Sequence, residues 1–85
     1  MAEIRRAFGL AVRLARTRRG WTQEQLGRAA GLDRGHVSRI ERGNLDLGIS
    51  TQQKIAGALG VSLAELVAQA EDEQERRRQR LGQAE

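Results

Sequence analysis

The chain has 85 residues and a mass of 9.4 kDa, enough for one compact domain and too little for a second catalytic or sensory one. It is 39% hydrophobic and 31% charged, contains no proline, and has 2% aromatic residues, which favours an all-α domain with an aliphatic core. The chain has no cysteine, which excludes disulfides and thiolate metal sites. It has one histidine, His36, which excludes a metal site built from a histidine cluster, so we expect no cofactor.

The net charge of +4 is distributed unevenly along the chain. Residues 1–42 hold ten arginines against four acidic residues, whereas residues 71–85 hold four arginines against five acidic residues. A basic excess in one half predicts either a polyanion partner or a solvated, arginine-rich helix face. The first 20 residues contain six arginines and no unbroken apolar run, so we expect neither a signal peptide nor a membrane span. We therefore expect the protein to be cytoplasmic.

Glycine and capping residues divide the chain into five predicted helices. Thr22 with Gln25, and Ser62 with Glu65, have the spacing of capping boxes. Asp33 is expected to cap the third helix. The predicted helices span residues 3–19, 23–30, 34–42 and 49–59, with the fifth beginning at Leu63.

Apolar residues at helical spacing predict the buried faces. The polar sequence from Glu71 onward predicts a domain over residues 1–70 and a charged tail over residues 71–85. The tail has acid-before-base pairs four residues apart, so we expect it to extend helix 5 without packing against the rest of the monomer. The expected buried set is Ile4, Phe8, Ala11, Val12 and Ala15 in helix 1, Ile49, Ile55, Ala56 and Leu59 in helix 4, and Leu63, Leu66, Val67 and Ala70 in helix 5.

Predicted helices 2 and 3 form a helix-turn-helix over residues 23–42. In such a unit the two helices cross closely, which requires small residues at the crossing, glycine at the turn and an apolar inner side of the second helix. A generic helical hairpin needs only the apolar positions. The residues that meet the full set of requirements are Gly27, Ala30, Gly31, Leu32, Val37 and Ile40.

Several segments between Phe8 and Ala68 together resemble the phage-repressor/Cro-type (XRE) helix-turn-helix family. The resemblance implies a compact five-helix, lambda-repressor-like DNA-binding domain. The stretch from Leu32 to Arg42 also looks like the controller proteins of restriction-modification systems. Gly27, Ala15 and Gln52 depart from the family pattern, which puts core stability in doubt. The segments are Arg13-Leu14-Ala15-Arg16, Gly20-Trp21-Thr22-Gln23-Glu24-Gln25-Leu26, Gly31-Leu32-Asp33, Val37-Ser38-Arg39-Ile40-Glu41-Arg42-Gly43 and Lys54-Ile55-Ala56-Gly57-Ala58-Leu59-Gly60-Val61-Ser62.

The outer side of predicted helix 3 carries the candidate base contacts. Val37 and Ile40 mark its buried side, and the opposite side is polar. Arg34 and Arg39 are the candidates for guanine recognition, because a guanidinium donates to O6 and N7 together. Gly35 either allows a close approach of the backbone to DNA or is simply a helix position that is not optimised for stability. The expected base-contacting residues are Arg34, Gly35, Ser38 and Arg39.

A second set of residues is expected to position the DNA backbone. Gln23 begins helix 2, where free N–H groups favour a phosphate, and the family resemblance implies that its side chain clamps one. Arg13 and Arg42 are further phosphate candidates, and His36 either contacts phosphate or packs against helix 2. The resemblance also implies a buried ion pair between Arg16 and Glu41.

We expect a sequence-specific transcriptional regulator that binds double-stranded DNA as a homodimer on a palindromic operator, because one recognition helix covers only a few base pairs. The alternative is a protein–protein adaptor such as an antitoxin or coactivator component. No nucleophile–base set or phosphate-binding glycine loop is visible, so we expect neither an enzyme nor a small-molecule ligand. Residues expected either to form the dimer interface or to close the monomer are Leu63, Val67, Ala70 and Leu81.

Overall fold

The computed structural model describes residues 2–83, with the side chains of residues 3–82, and folds them into five α-helices without a strand. The predicted all-α, five-helix fold is confirmed. The observed bounds differ from the predicted ones by one residue at each end of the first helix and at the end of the third. The helices are α1 (Ala2–Arg18), α2 (Gln23–Ala30), α3 (Arg34–Glu41), α4 (Ile49–Leu59) and α5 (Leu63–Gln83).

Side-chain caps begin α2, α3 and α5. The N–H of Gln25 donates to Oγ1 of Thr22 at 3.1 Å, and the N–H of Thr22 donates to Oε1 of Gln25 at 2.7 Å. The pair Ser62 and Glu65 forms the same reciprocal bonds, at 3.0 and 3.1 Å. Oδ1 of Asp33 accepts from the N–H of residue 36 at 2.7 Å. These bonds satisfy backbone donors that the helix itself leaves unpaired.

The core is aliphatic and draws on all five helices. Trp21 and Leu32, which precede the caps of α2 and α3, pack half-buried against it. Two expected core residues lie outside: Ile4 is exposed because the core begins one turn later, at Ala7, and Ile49 is 67% exposed on the first turn of α4. The largest fully buried side chains are Val12, Leu26, Val37, Ile55 and Leu66.

Two glycines let the helix-turn-helix formed by α2 and α3 pack closely. A Cβ at Gly27 would lie 2.5 Å from the carbonyl oxygen of Leu32, so the turn between α2 and α3 closes against the bare backbone. A Cβ at Gly9 would lie 2.7 Å from the carbonyl oxygen of Glu41, which brings α1 onto the end of α3. The family departure at Gly27 therefore serves a close contact, and the role of Gly9 was not predicted.

The charged tail packs along α1, contrary to expectation. Helix α5 continues without a break past Ala70, and Glu73, Gln74 and Arg77 are half-buried. The guanidinium of Arg78 lies 3.9 Å from the carboxylate of Glu3. The packing was missed because it joins polar residues and the aliphatic stems of long side chains, which an apolar pattern does not mark. Residues 84 and 85 of the predicted tail lie outside the described residues.

None of the described helices combines the length and the apolar character needed to cross a bilayer.

Candidate nucleic-acid interface

The outer face of α3 is open to solvent. Val37 and Ile40 are buried on its inner side. The opposite side presents the expected base-contacting residues: Ser38 is half-exposed, and Arg34, Gly35 and Arg39 are exposed. Arg42, the C-cap of α3, is exposed as well. The helix thus carries a polar, cationic surface that no other described part of the chain covers.

The N-termini of α2 and α3 border one depression. It has a volume of about 310 Å³ and is lined by Thr22, Gln23, Glu24 and Arg34. Gln23 was expected to contact phosphate and Arg34 to contact a base, and the fold places both beside this opening. The backbone N–H groups and the positive dipole end of α2 favour an anion here.

Arg16 and Glu41 form a part-buried ion pair between α1 and α3. Nε of Arg16 lies 2.6 Å from Oε2 of Glu41, and Nη2 donates to Oε1 at 3.0 Å. The two side chains are only 12% and 4% exposed. The third guanidinium nitrogen, Nη1, donates to the carbonyl oxygen of Trp21 at 2.6 Å and so ties down the α1–α2 loop.

One contact of this network was not predicted from the sequence. Nε2 of Gln23 donates to Oε1 of Glu41 at 3.1 Å. The two residues are 18 positions apart, and no local pattern links them. The only sequence signal was that both residues belong to family motifs, which assigned them separate roles.

The remaining phosphate candidates lie on two helices. Arg13 is exposed on α1, one turn beyond Gly9 and one turn before Arg16. His36 is half-buried on the first turn of α3. The neighbouring Arg19 is occupied within the fold, because its guanidinium stacks 4.3 Å from the ring centroid of Trp21 and donates to the carbonyl of Leu59 at 3.2 Å.

The expected dimer residues separate into two groups. Ala70 is 1% exposed and belongs to the core, so it has no surface to offer a second copy. Leu63 and Val67 are half-buried. Val67 borders an apolar groove of about 200 Å³ that is also lined by Ile4, Phe8, Leu45 and Leu47.

Gln52 has a role within the monomer. Its Nε2 donates to the carbonyl oxygen of Leu47 at 2.9 Å and holds the loop before α4. Leu45 and Leu47 of that loop pack against the core. The departure from the family's leucine at this position is thus accompanied by apolar loop residues, and the polar group is satisfied locally.

A family model described as helix-turn-helix matches residues 12–66, which include all of α2, α3 and α4. The chain belongs to the helix-turn-helix family. The matched segment contains the close α2–α3 crossing and the exposed face of α3. The phage-repressor type indicated by the sequence motifs is confirmed by this match.

Curated relatives of this helix-turn-helix chain are themselves named as regulators. It is 40% identical over 65 residues to a hypothetical transcription factor of Neisseria meningitidis, covering 76% of this chain and 61% of that protein. It is 34% identical to the immunity repressor protein of Bacillus phage phi105, covering 72% of this chain and 42% of the repressor. The chain thus spans about six-tenths or less of these relatives' lengths.

Solved structures of proteins named as regulators share the fold. The clp gene regulator ClgR from Corynebacterium glutamicum superposes with a TM-score of 0.92 at 27% identity, covering 95% of this chain and 86% of that one. The restriction-modification controller protein C.AhdI from Aeromonas hydrophila superposes with a TM-score of 0.73 at 36% identity, covering 78% of this chain and 98% of the controller.

Proposed function

We propose that this helix-turn-helix chain is a sequence-specific transcriptional regulator that binds a palindromic DNA operator as a homodimer. The observation that carries the proposal is the exposed polar face of α3, presented opposite the buried Val37 and Ile40. In the complex this face enters the major groove. Arg34 and Arg39 donate to guanine O6 and N7, and each such pair contributes about 1–3 kcal/mol of discrimination against other bases.

Two smaller residues complete the proposed base contacts. Ser38 is half-exposed between the arginines and supplies a hydroxyl that donates or accepts. Gly35 is exposed on the first turn of α3, where the lack of a side chain lets the backbone approach the bases. We assign both to the major groove together with Arg34.

Phosphate contacts fix the register of α3 in the groove. Gln23 lies at the positive end of α2 beside Arg34, in the depression that would receive one phosphate group. We assign contacts with neighbouring phosphates to Arg13 and Arg42, which are exposed, and to His36, which is half-buried. Such contacts carry affinity and orientation but no sequence information.

The proposed dimer brings two copies of α3 to successive turns of the major groove. A twofold axis places the half-sites about 34–36 Å apart. Leu63 and Val67 remain as candidate contacts on α5, and the apolar groove beside Val67 offers the surface for a second copy. Its lining includes the exposed Ile4 and the half-buried Phe8, Leu45 and Leu47, and this apolar surface supports a contact between subunits.

The similarity to C.AhdI favours a narrower version of the proposal. The match covers 98% of that controller protein, so this chain contains a counterpart of nearly all of it. We propose a controller-type regulator, in which this domain by itself binds the operator and dimerises.

The proposal is tested by selecting binding sites from a random duplex library. The affinity of the selected palindrome is then compared with that of a scrambled duplex at about 150 mM salt. We expect the palindrome to bind at least about a thousandfold more tightly. Equal and strongly salt-dependent binding of both duplexes would instead support the protein–protein adaptor.

A further inference from the structure

We propose that Glu41 is a positioning residue for DNA binding, which holds the side-chain amide of Gln23 so that one N–H faces a phosphate. The proposal rests on the proposed function, because it assigns a partner to the phosphate contact of α2. It adds a role to Glu41 beyond that of a structural partner for Arg16.

The hydrogen bonds at Glu41 fix the orientation of the amide. Oε1 accepts from Nε2 of Gln23 at 3.1 Å and from Nη2 of Arg16 at 3.0 Å. An ionised carboxylate only accepts hydrogen bonds, so the nitrogen end of the amide, and not its oxygen, must lie against it. The NH₂ group has two hydrogens. One is held by Glu41, and the other remains available to a ligand.

This orientation matters because an amide has opposite ends. A freely rotating glutamine presents either its NH₂ group or its carbonyl oxygen, and the oxygen repels a phosphate. Glu41 removes that alternative before DNA arrives and also reduces the side-chain entropy lost on binding. Gln23 lines the depression between α2 and α3, so the free N–H belongs to the surface proposed to meet the DNA backbone.

Arg16 makes a carboxylate tolerable at this place. An unpaired negative charge beside a phosphate would weaken binding, but the guanidinium lies 2.6 Å from Oε2 of Glu41 and neutralises it. The same guanidinium donates to the carbonyl oxygen of Trp21, two residues before Gln23. Arg16 therefore holds both the carboxylate and the backbone that leads into α2.

Glu41→Asp separates the two roles of the carboxylate. The shorter side chain withdraws from Gln23, whereas the long side chain of Arg16 can follow it and keep the ion pair. Glu75→Asp is the matched control: it makes the same change at an exposed residue of α5 whose carboxylate pairs with Arg78 at 3.7 Å.

We expect Glu41→Asp to weaken binding of the selected palindrome and of a scrambled duplex by the same factor, about tenfold, and Glu75→Asp to leave both unchanged. The dependence of affinity on salt should keep its slope, because a neutral amide displaces no counterion. Adding Gln23→Ala to Glu41→Asp should cause little further loss. Wild-type affinity for Glu41→Asp, or additive losses in the double variant, would overturn the proposal.

A second measurement needs no DNA. In the ¹⁵N-labelled wild-type protein, the Gln23 side chain should give two proton signals separated more widely than those of an exposed glutamine, one of them slow to exchange with water. The separation should fall to that of an exposed glutamine in Glu41→Asp and stay wide in Glu75→Asp. Exchange at the rate of a free amide in the wild type would overturn the proposal even if Glu41→Asp failed to fold. Failure of the wild type to discriminate between duplexes would instead refute the proposed function.

Discussion

The backbones of Gly27 and Leu32 are in contact at the turn between α2 and α3. The N–H of Leu32 donates to the carbonyl oxygen of Gly27 at 2.7 Å, and a Cβ at position 27 would lie 2.5 Å from the carbonyl oxygen of Leu32. The atom in the way belongs to the backbone, which cannot move without displacing α3. The angle at which α3 is presented therefore depends on the absence of a side chain at this glycine.

Gly27→Ala should destabilise the fold by about 1–3 kcal/mol, because the added methyl group forces the turn open. Gly57→Ala in α4 is the control: its Cβ meets nothing within 4 Å. This change should leave the fold as stable or stabilise it by up to about 1 kcal/mol, since alanine favours the helix. Urea denaturation of the two variants measures the difference. Equal free energies of unfolding would contradict the close contact.

The helix boundaries were predictable because their causes are local. Capping boxes at Thr22 and Ser62, and glycines after the helices, act within four or five residues, so the sequence contains all the information needed. The φ angles of four such glycines lie between 73° and 75°, in the left-handed conformation that ends a right-handed helix. These are Gly20, Gly31, Gly43 and Gly60. The exposed face of α3 followed in turn, because helical periodicity assigns opposite sides once the boundaries are known.

The features that were missed depend on contacts between distant segments. In the sequence, nothing distinguishes Gly9 from any other glycine in a helix, because its contact is with the distant end of α3. The hydrogen bond from Gln23 to Glu41 joins two helices through side chains. The partial burial of Glu73, Gln74 and Arg77 depends on the course of α5 along α1, and the polar tail gave no apolar signal for that packing.

Gly35→Ala tests whether the backbone of α3 approaches DNA closely. In the free protein the Cβ would lie 3.3 Å from Oδ1 of Asp33, the atom that caps α3. The helix preference of alanine is offset by this tight contact, so we expect the stability to change by less than about 1 kcal/mol. Binding of the selected palindrome should nevertheless weaken, because the methyl group faces the bases. Thermal denaturation and fluorescence anisotropy measure the two effects. Unchanged affinity in a more stable variant would contradict the close approach and show that Gly35 is only a position not optimised for helix stability.

The start of α5 should respond to acid. The pKa of Glu65 is lowered below its ordinary value of 4.5. The larger cause is the hydrogen bond from the backbone N–H of Ser62, and the smaller is the hydrogen bond with the Ser62 hydroxyl. A lowered pKa means that the ionised carboxylate stabilises the fold above the unfolded-state value, and that this contribution is lost as the pH falls through the lowered one.

Ser62→Ala should therefore raise the pKa of Glu65 toward 4.5, and only part of the way because the backbone N–H remains. Carboxyl ¹³C NMR titration of the wild type and the variant measures the shift. A wild-type Glu65 that titrates at or above 4.5 would contradict the capping geometry.

Val67→Lys tests the proposed dimer surface. Val67 is half-buried beside the apolar groove, whereas its neighbour Ala68 is exposed, so Ala68→Lys supplies the matched charge. We expect Val67→Lys to shift the protein toward monomers in sedimentation equilibrium and to weaken the preference for palindromes over single half-sites. The lysine stem can lie along the groove, which spares the fold. Unchanged dimerisation in a folded Val67→Lys variant would place the interface elsewhere.

The central claim is that the outer face of α3 recognises bases, and binding-site selection with Arg34→Ala tests it most directly. Arg80→Ala, which removes the same charge from an exposed position on α5, is the control. We expect Arg34→Ala to weaken binding of the wild-type palindrome by more than about 1 kcal/mol and to lose the base preference at one symmetric pair of positions. Arg80→Ala should retain every preference. Selected sites that were identical for Arg34→Ala and the wild type would contradict the account.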